Sequence, residues 1–343
     1  MYRKDIDEFI VKFEDIGYTR RSIERVLTGF HDLDYYIKGF ESGLSILIAD
    51  TNMGKSILTA SFIRNAIGQG YNVGVFASEH SLESYKMLVM QQNPKSGEFY
   101  PVPFIDKNGN DTNIADWYVS EKSYASTSAI YDKKLVMYNT RKVDRDIGTI
   151  VQWMKRCYEL YKTRFFIIDN FMEITQTAAN QNQEQTDILT KLRDVALNNK
   201  EPLFVILVQH ITKESVKDTF RLDVKSGSGT SNSGNKAYNL LALYRKDCIR
   251  VKKGNERELD KFKQDCAKCG FDYDACDSFL EVLKTKGNGN GVVGLRYLAD
   301  NKTFEQAPKM SKTDADKIYK KYEKKVQTSA LDWEEISEDE MPF

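Results

Sequence analysis

The chain has 343 residues, of which 41% are apolar and 29% charged, so it can form one large α/β domain or two small ones around a buried core. It contains no apolar run of the roughly 20 residues that cross a bilayer, and charges within its first seven residues argue against a secretory signal. Its five cysteines, an odd number, favour reduced thiols and a cytoplasmic location.

The 50 basic and 50 acidic residues cancel, but they are unevenly distributed along the chain. The last thirteen residues contain no base and six acids, which are Asp332, Glu334, Glu335, Glu338, Asp339 and Glu340. Residues 1–330 therefore have a net charge of +6. A mildly basic body with an acidic tail is compatible with binding a polyanion.

The apolar pattern predicts helices that alternate with buried strands. An amphipathic helix is expected first, over residues 4–15, with Ile6, Phe9, Ile10 and Phe13 on one face. Continuous apolar runs then predict strands at residues 44–50, 72–78, 134–139, 164–170 and 202–210. Helical patterns lie between them at residues 56–70, 146–162 and 186–198. Since the runs do not alternate in polarity, we predict an α/β fold with a mostly parallel sheet covered by helices on both faces.

Three segments are predicted to be irregular. Residues 91–130 are polar and rich in turn residues, and residues 222–236 are rich in Gly, Ser and Asn. Residues 308–343 begin as a Lys-rich helix and end in the acidic tail, for which we expect disorder.

Residues 49–56, ADTNMGKS, fit the Walker A phosphate-binding pattern and follow a predicted strand directly before a predicted helix. Lys55 is expected to reach the β- and γ-phosphates, and the Ser56 hydroxyl to bind Mg²⁺. The predicted cofactors are therefore ATP or another NTP, with Mg²⁺. The whole loop is the predicted nucleotide-binding segment: Ala49, in place of the usual first glycine, then Asp50, Thr51, Asn52, Met53, Gly54, Lys55 and Ser56.

Polar residues end three of the other predicted strands. Asp169 follows a buried run, where a second Mg²⁺ ligand would lie. Glu79 can accept the proton of the water that attacks the γ-phosphate, although composition alone leaves Glu83 equally available. A polar side chain at Gln209 or His210 can hydrogen-bond the γ-phosphate and respond to its loss.

Two further patterns leave alternatives open. Cys248, Cys266, Cys269 and Cys276 contain one C-x2-C pair, which is compatible with zinc, but buried free thiols are the favoured interpretation. Lys284 and Lys286 precede a glycine-rich segment. These lysines can reach a phosphate of a neighbouring subunit, or the segment is a solvent-exposed β-hairpin.

Taken in order, these motifs resemble the DnaB-like hexameric replicative helicases, especially the helicase domain of phage helicase–primases. Residues 28–43 resemble the family's entry motif, followed by ADTNMGKS, VGVFASEHSLES, RFFIIDN, VILVQH, KSGSGT, ALYR and LKTKGNGNG. The resemblance implies a RecA-like P-loop NTPase fold in residues 28–305, in a ring of six subunits with ATP sites between them. Residues 1–27 would form a linker or docking helix, and residues 306–343 the Lys-rich helix and acidic tail.

The resemblance also assigns roles to single residues. It places the catalytic glutamate at Glu79, the magnesium-binding aspartate at Asp169, and the γ-phosphate sensor at His210, with Gln209 as the alternative. The segment that matches the family's DNA-binding loop in the central channel consists of Lys225, Ser226, Gly227, Ser228 and Gly229.

The family's trans-acting K-x-R motif is Lys284-Thr285-Lys286 in this chain. This is a departure, because a lysine cannot form the planar bidentate fork of an arginine on phosphate. Either Lys286 acts as a point charge or another residue, such as Arg296, takes the role.

The function that the resemblance implies is a ring-forming replicative helicase, which couples NTP hydrolysis to 5′-to-3′ translocation on single-stranded DNA and duplex unwinding. Implied partners are single-stranded DNA, further copies of the chain, a separate primase and, through the acidic tail, the replicative DNA polymerase or another replisome protein. The alternatives are a RecA-like recombinase or strand-binding filament ATPase, and a regulatory ATPase that separates no strands.

Overall fold

The computed structural model describes most of the chain, with residues 99–105, 111–119, 181–182, 232–233 and 326–334 described by their backbone alone. The described ranges are 24–92, 99–105, 108–119, 128–174, 181–211, 219–227, 232–249, 251 and 256–334. The predicted helix over residues 4–15, the loop residues Ser228 and Gly229, and residues 335–343 of the tail lie outside the described residues.

Thirteen strands are present in the described ranges. They are β1 (Arg25–Val26), β2 (Phe40–Glu41), β3 (Gly43–Ala49), β4 (Asn72–Ala77), β5 (Phe99–Ile105), β6 (Asp111–Val119), β7 (Leu135–Met137), β8 (Thr163–Asp169), β9 (Phe204–His210), β10 (Asn239–Arg245), β11 (Ser278–Lys284), β12 (Gly291–Leu298) and β13 (Thr303–Gln306). Nine of them form one sheet in the order β13-β12-β11-β10-β3-β9-β8-β4-β7. The strands from β10 to β7 are parallel, whereas β11, β12 and β13 continue the sheet in antiparallel fashion.

The helices of the described ranges include α1 (His31–Ile37), α2 (Lys55–Gly68), α3 (Leu82–Gln91), α4 (Ile147–Tyr161), α5 (Gln181–Asn198), α6 (Asn232–Lys236), α7 (Glu256–Lys268) and α8 (Lys312–Glu334). Local capping explains where two of them begin. The Ser81 hydroxyl accepts the backbone N–H of Ser84 at the start of α3, and the Asp146 carboxylate accepts that of Thr149 at the start of α4. No helix in the described part of the chain is long and apolar enough to cross a membrane.

Both faces of the parallel sheet are covered. Every residue of β3 is buried, as are the first six of β9 and the last five of β8. Since successive side chains of a strand point to opposite faces, burial along the whole strand requires packing on both sides. The predicted α/β fold is confirmed, and it brings the carboxyl ends of β3, β4, β8 and β9 to one edge of the sheet.

The structure differs from the sequence prediction in the segment 91–130, which contains the antiparallel pair β5–β6 rather than irregular chain alone. Pro101 and Pro103 lie in β5 of this two-stranded sheet. Both strands of such a sheet are edge strands, where a missing backbone N–H is tolerated.

The hairpin interpretation of the glycine-rich segment after Lys284 is correct, because β11 and β12 pair in antiparallel fashion around it.

The C-terminal helix is longer than predicted. Residues 331–334, for which the sequence predicts a disordered tail, form the last part of α8. These residues include no proline or glycine that would end a helix. The helix packs against α7, where the Lys263 ammonium lies 5.5 Å from the centroid of the Tyr322 ring.

Candidate active site

A cavity of about 1040 Å³ lies at the carboxyl edge of the parallel strands. The loop after β3, the ends of β4, β9 and β10, and helix α3 contribute to its wall. The lining residues include Thr51, Asn52, Gly54, Lys55, Ser56, Glu79, His80, Glu83, His210, Arg245 and Lys302.

The predicted phosphate-binding loop forms the floor of this cavity. Gly54 precedes α2 with φ = 90°, and a Cβ there would lie 3.1 Å from the Phe304 ring, so both backbone conformation and space favour glycine. The loop places the N-terminus of α2 at the cavity. Unpaired backbone N–H groups and the helix dipole make such a terminus favourable for a phosphate group.

Lys55 is the first residue of α2 and is 6% exposed. Its ammonium donates to the carbonyl oxygens of Ala49, at 3.3 Å, and Asp50, at 2.7 Å. Burial lowers the pKa of Lys55, and the nearby carboxylates of Asp169, Glu79 and Asp50 oppose this effect. The amine is thus held between the loop backbone and the acids of the site.

A chain of hydrogen bonds connects Lys55 to Glu79 through His210. Nζ of Lys55 lies 3.2 Å from Nδ1 of His210, and Nε2 of His210 lies 2.8 Å from Oε1 of Glu79. An ammonium can only donate, so Nδ1 accepts and the ring proton is assigned to Nε2, which donates to Glu79. The side-chain amide of Asn170 donates to the same carboxylate oxygen. Glu79 is therefore oriented from two sides.

Glu83 has a different environment. Its carboxylate accepts a hydrogen bond of 2.9 Å from the Arg141 guanidinium at the exposed rim of the cavity. The geometry thus distinguishes the two glutamates that composition left equal. Glu79, and not Glu83, lies in the hydrogen-bonded chain with Lys55.

Ser56 and Asp169 form the second polar pair of the site. The Ser56 hydroxyl donates to Oδ2 of Asp169 at 3.0 Å, whereas Oδ1 of Asp169 is buried without a hydrogen-bond partner among the described residues. Burial raises the pKa of Asp169. A buried carboxylate oxygen that lacks a donor, beside a serine hydroxyl, fits a hard cation.

The donor set also restricts the kind of cation site. In the described ranges, no group of three or more His, Cys, Asp or Glu side chains could hold a metal ion. Mg²⁺ is commonly bound by one or two protein oxygens together with substrate phosphates and water. Ser56 and Asp169 would supply the protein oxygens of such a site.

We expect Asp169→Asn to raise the melting temperature of the nucleotide-free protein by about 2 °C or more. The raised pKa means that the folded state favours the neutral carboxyl, so the ionised form destabilises the fold at neutral pH, and an amide removes that charge. The additional thermal stabilisation that Mg²⁺ gives to the NTP-bound protein should be lost. Differential scanning fluorimetry measures both effects, with the exposed Asp144→Asn as the control. A lower melting temperature for nucleotide-free Asp169→Asn would contradict this interpretation.

Four residues of the site were not identified from sequence. Nε2 of His80 lies 3.2 Å from the Ser56 hydroxyl, and Asn170 orients Glu79. Both directly follow a predicted site residue at a strand end, so their position in the sequence could have identified them. Arg245 ends β10 and donates to the Asn52 carbonyl at 3.0 Å, whereas Lys302 reaches the cavity from the turn between β12 and β13. Nothing in local sequence marks Lys302, because the antiparallel strands bring it there.

The predicted alternative sensor, Gln209, does not line the cavity. Its side chain is 0% exposed and lies at Gly227, where a Cβ would be 2.7 Å from Oε1 of Gln209. Adjacent residues of a strand point to opposite faces, so only His210 of this pair faces the site.

The two lysines of the K-x-K motif lie away from this cavity. Because β11 runs antiparallel to β10, Lys284 ends its strand at the opposite edge of the sheet. Its ammonium donates to the carbonyl oxygens of Gly234 and Ala237, whereas Lys286 is exposed, 5.0 Å from the centroid of the Tyr238 ring. Arg296 follows Leu295, which pairs with Ser278 at the start of β11. Because β11 is antiparallel to β10, this position lies at the edge of the sheet that holds the phosphate-binding loop, whereas Lys286 lies at the opposite edge.

The described part of the predicted DNA-binding loop is attached to the domain. The Asp223 carboxylate accepts the backbone N–H of Lys225 and the Ser226 hydroxyl, each at 2.8 Å. The Lys225 side chain is exposed, and Gly227 forms a β-bridge with Ile211 at the end of β9.

The cysteines form no metal centre among the described residues. All five are free thiols, and Cys266 and Cys276 are buried. Burial raises the pKa of Cys276 to about 11.

The family model of the DnaB-like helicase C-terminal domain matches residues 25–265 of the chain. The K-x-K motif therefore lies outside the matched range.

The replicative DNA helicase DnaB of Helicobacter pylori is 22% identical over 298 residues, which are 81% of this chain and 58% of that protein. A probable replicative DNA helicase of Guillardia theta is 23% identical over 229 residues, which are 64% of this chain and 36% of that protein. Both matches cover less than two thirds of the relative's length.

Solved structures have a similar fold. A DnaB-like replicative helicase, described with its interactions with primase, superposes with a TM-score of 0.62 at 14% identity, over 89% of this chain and 68% of that one. A second structure, described as an ATPase domain, superposes with a TM-score of 0.62 at 16% identity, over 89% of this chain and 99% of that one. A KaiC-like protein of Pyrococcus horikoshii superposes with a TM-score of 0.51 at 13% identity, over 83% of this chain and 100% of that one. These similarities confirm the predicted RecA-like P-loop NTPase fold.

Proposed function

The chain belongs to the DnaB-like helicase C-terminal domain family, and from this membership we propose that it is the motor of a ring-forming replicative DNA helicase. It would couple hydrolysis of ATP or another NTP to 5′-to-3′ movement along single-stranded DNA and to duplex unwinding. The observation that carries the proposal is the chain from Lys55 through His210 to Glu79, beside the Ser56–Asp169 pair. These residues would supply a cation, a base and metal ligands at one cavity.

Each of these residues has a definite task in hydrolysis. Glu79 accepts a proton from the attacking water, and Asn170 and His210 hold its carboxylate in place. Lys55 neutralises phosphate charge as it develops, in a site where it need not reorganise. Mg²⁺ bound at Ser56 and Asp169 would supply further charge neutralisation. His210 contacts both Lys55 and Glu79, so loss of the γ-phosphate can change its hydrogen bonds.

A second cavity, of about 460 Å³, adjoins the phosphate-binding loop and suits the base of the nucleotide. Arg245, Tyr297 and Phe304 contribute to its wall, next to Met53 and Gly54. A guanidinium and aromatic rings bind a flat heterocycle through stacking and cation–π contacts. The proposed nucleotide thus extends from Lys55 towards Tyr297.

A cleft of about 450 Å³ at the opposite edge of the sheet, lined by four basic and two acidic side chains, suits a neighbour's γ-phosphate. Arg193 of α5 lines it together with Lys286, Lys236 and Tyr238. Burial, then the charges of Lys286 and Arg193, lower the pKa of Lys284, so these cations lie close together. We propose that Arg193 supplies the planar guanidinium that Lys286 cannot, and that Lys284 fixes the backbone.

We predict that Arg193→Ala and Lys286→Ala each lower NTP hydrolysis by the assembled protein about tenfold or more. Binding of nucleotide to the subunit's own loop should be unchanged. Mixing either variant with Lys55→Ala subunits should restore part of the activity. The intact phosphate-binding loop of the variant then faces the intact Arg193 and Lys286 of a neighbouring Lys55→Ala subunit. Lys286→Arg should compensate for Arg193→Ala.

Lys191→Ala, an exposed change on the same helix, is the control for this experiment. Assembly of the mixture must be confirmed by mass photometry. If hydrolysis does not recover at any mixing ratio, the two cations do not complete a neighbour's site.

The proposed partners follow from the same assignment. Single-stranded DNA would contact the loop of residues 225–229, and a separate primase would act with the ring. The acidic residues that follow α8 would bind the replicative DNA polymerase or another replisome protein, since an acidic segment is repelled by DNA. The protein would act in the cytoplasm, which is the host cytoplasm if a phage encodes it.

The alternative function, a RecA-like recombinase or strand-binding filament ATPase, would use the same cavity. The Lys286 cleft and the predicted helix over residues 4–15 favour the ring. Negative-stain imaging with a non-hydrolysable nucleotide and single-stranded DNA distinguishes the two. Closed rings support the helicase, and open filaments support the alternative.

A further inference from the structure

Lys302 brings a cation into the nucleotide cavity from a part of the chain that lies outside the range matched by the family model. It is the last residue of the turn between β12 and β13, and it lines the cavity of about 1040 Å³. Its backbone has φ = 46°, a left-handed conformation that residues other than glycine adopt only rarely. Such a conformation persists only where the surrounding structure holds it. The contacts around the turn therefore fix Lys302 in place.

Gln92 makes the contacts that hold this turn. Its side chain is 0% exposed, and its amide nitrogen donates at 2.8 Å to the carbonyl oxygens of Ile57, in α2, and of Lys302. Its amide oxygen accepts from the hydroxyl of Ser61, also in α2, at 2.9 Å. A buried amide with both of its atoms paired connects the turn rigidly to the helix. Because α2 begins at Lys55, the turn has a fixed position relative to the phosphate-binding loop.

The strand that follows the turn indicates which part of the nucleotide Lys302 faces. Phe304 lines the cavity that suits the base, and it lies against Gly54 of the phosphate-binding loop. Two residues of chain span at most about 7 Å, so Lys302 lies near this ring. Lys302 itself lines the phosphate cavity and not the base cavity. It therefore lies where the α-phosphate would be in a nucleotide that extends from Lys55 towards Tyr297.

We propose that Lys302 binds the α-phosphate of the nucleotide and that Gln92 is its positioning residue. This inference rests on the proposed function, because it names a contact within the NTP site. The α-phosphate is present in both NTP and NDP, and hydrolysis of the γ-phosphate breaks none of its bonds. A cation at this position binds the ground state and the transition state equally, so it tightens nucleotide binding without accelerating the chemical step.

Lys302→Asn tests the contact, because asparagine tolerates a positive φ better than most residues. The turn should keep its conformation and lose only the cation. We expect the Kd values of NTP and NDP, measured with fluorescent nucleotides and Mg²⁺, to rise by the same factor of about five or more. KM should rise in parallel, whereas kcat should stay within about twofold. Lys302→Arg retains the charge and should restore affinity to within about threefold of the wild type.

Gln92→Met tests the positioning role, since methionine fills the space without strong hydrogen-bonding atoms. It should raise both Kd values about threefold or more at nearly constant kcat, although Gln92 does not line the cavity. Combined with Lys302→Asn, it should add little, because both changes act through one cation. Ser61→Ala removes only the donor to Gln92 and should give a smaller rise, so the test does not depend on folding of Gln92→Met.

Lys320→Ala, an exposed change in α8, is the control and should bind both nucleotides like the wild type. If Lys302→Asn also binds them like the wild type, Lys302 is not a phosphate ligand and the NTPase assignment is unaffected. If only the affinity for NTP falls, the cation lies at the γ-phosphate and the inference is wrong. If the losses from Gln92→Met and Lys302→Asn add fully, Gln92 does not position Lys302. If the wild type binds no nucleotide, the proposed function fails, and the inference with it.

Discussion

Lys55→Ala is expected to lower NTP hydrolysis by about 10³-fold and to weaken nucleotide binding. The ammonium is the cation that the loop holds inside the cavity, through the carbonyl oxygens of Ala49 and Asp50. Its loss also removes the donor to His210, so the side chain that orients Glu79 loses one of its two contacts. Phosphate release by the purified variant, and binding of a fluorescent nucleotide, measure the two effects.

The control for this change is Lys133→Ala, an exposed lysine that does not line the nucleotide cavity. It should behave like the wild type in both assays. Turnover by Lys55→Ala within a few fold of the wild type would exclude the assignment of the cavity as an NTPase site.

Glu79→Gln should separate binding from turnover. Glutamine retains the shape and can still accept from Asn170 and His210, but it cannot take a proton from water. We expect hydrolysis to fall by about 10²-fold or more, while nucleotide and single-stranded DNA still bind. Rapid-quench kinetics and fluorescence anisotropy of labelled oligo-dT test the two parts separately.

Glu83→Gln is the matched control for Glu79→Gln, because Glu83 is paired with Arg141 at the rim of the same cavity. It should keep near-normal turnover. If Glu83→Gln instead gives the binding-competent, inactive protein, the assignment of Glu79 as the base is wrong.

The predicted residues that meet in the cavity all end strands of the parallel sheet or belong to the phosphate-binding loop. Lys55, Glu79, Asp169 and His210 could be placed together from sequence because the carboxyl ends of parallel strands share one edge. Continuous apolar runs identified the strands, so the fold and the core of the site were both predictable.

Other parts of the site depend on geometry that local sequence does not contain. Lys302 enters the cavity because β12 and β13 extend the sheet in antiparallel fashion, and Arg193 reaches the cleft of Lys286 from a helix distant in sequence. Gln209 and His210 are adjacent and equally polar. Side chains alternate between the two faces along β9, and only this alternation decides which of the two faces the nucleotide. These placements follow from long-range packing rather than from composition.

The measurement that tests the central claim most directly is strand separation of a labelled DNA fork with a 5′ single-stranded tail. The separation is monitored by gel electrophoresis or fluorescence, in the presence of each NTP in turn. We predict strand displacement by the wild type that requires hydrolysable NTP and Mg²⁺ and is absent in Glu79→Gln. A fork with only a 3′ tail should remain paired. NTP hydrolysis without displacement of either fork, by protein confirmed as closed rings, would contradict the assignment as a helicase motor.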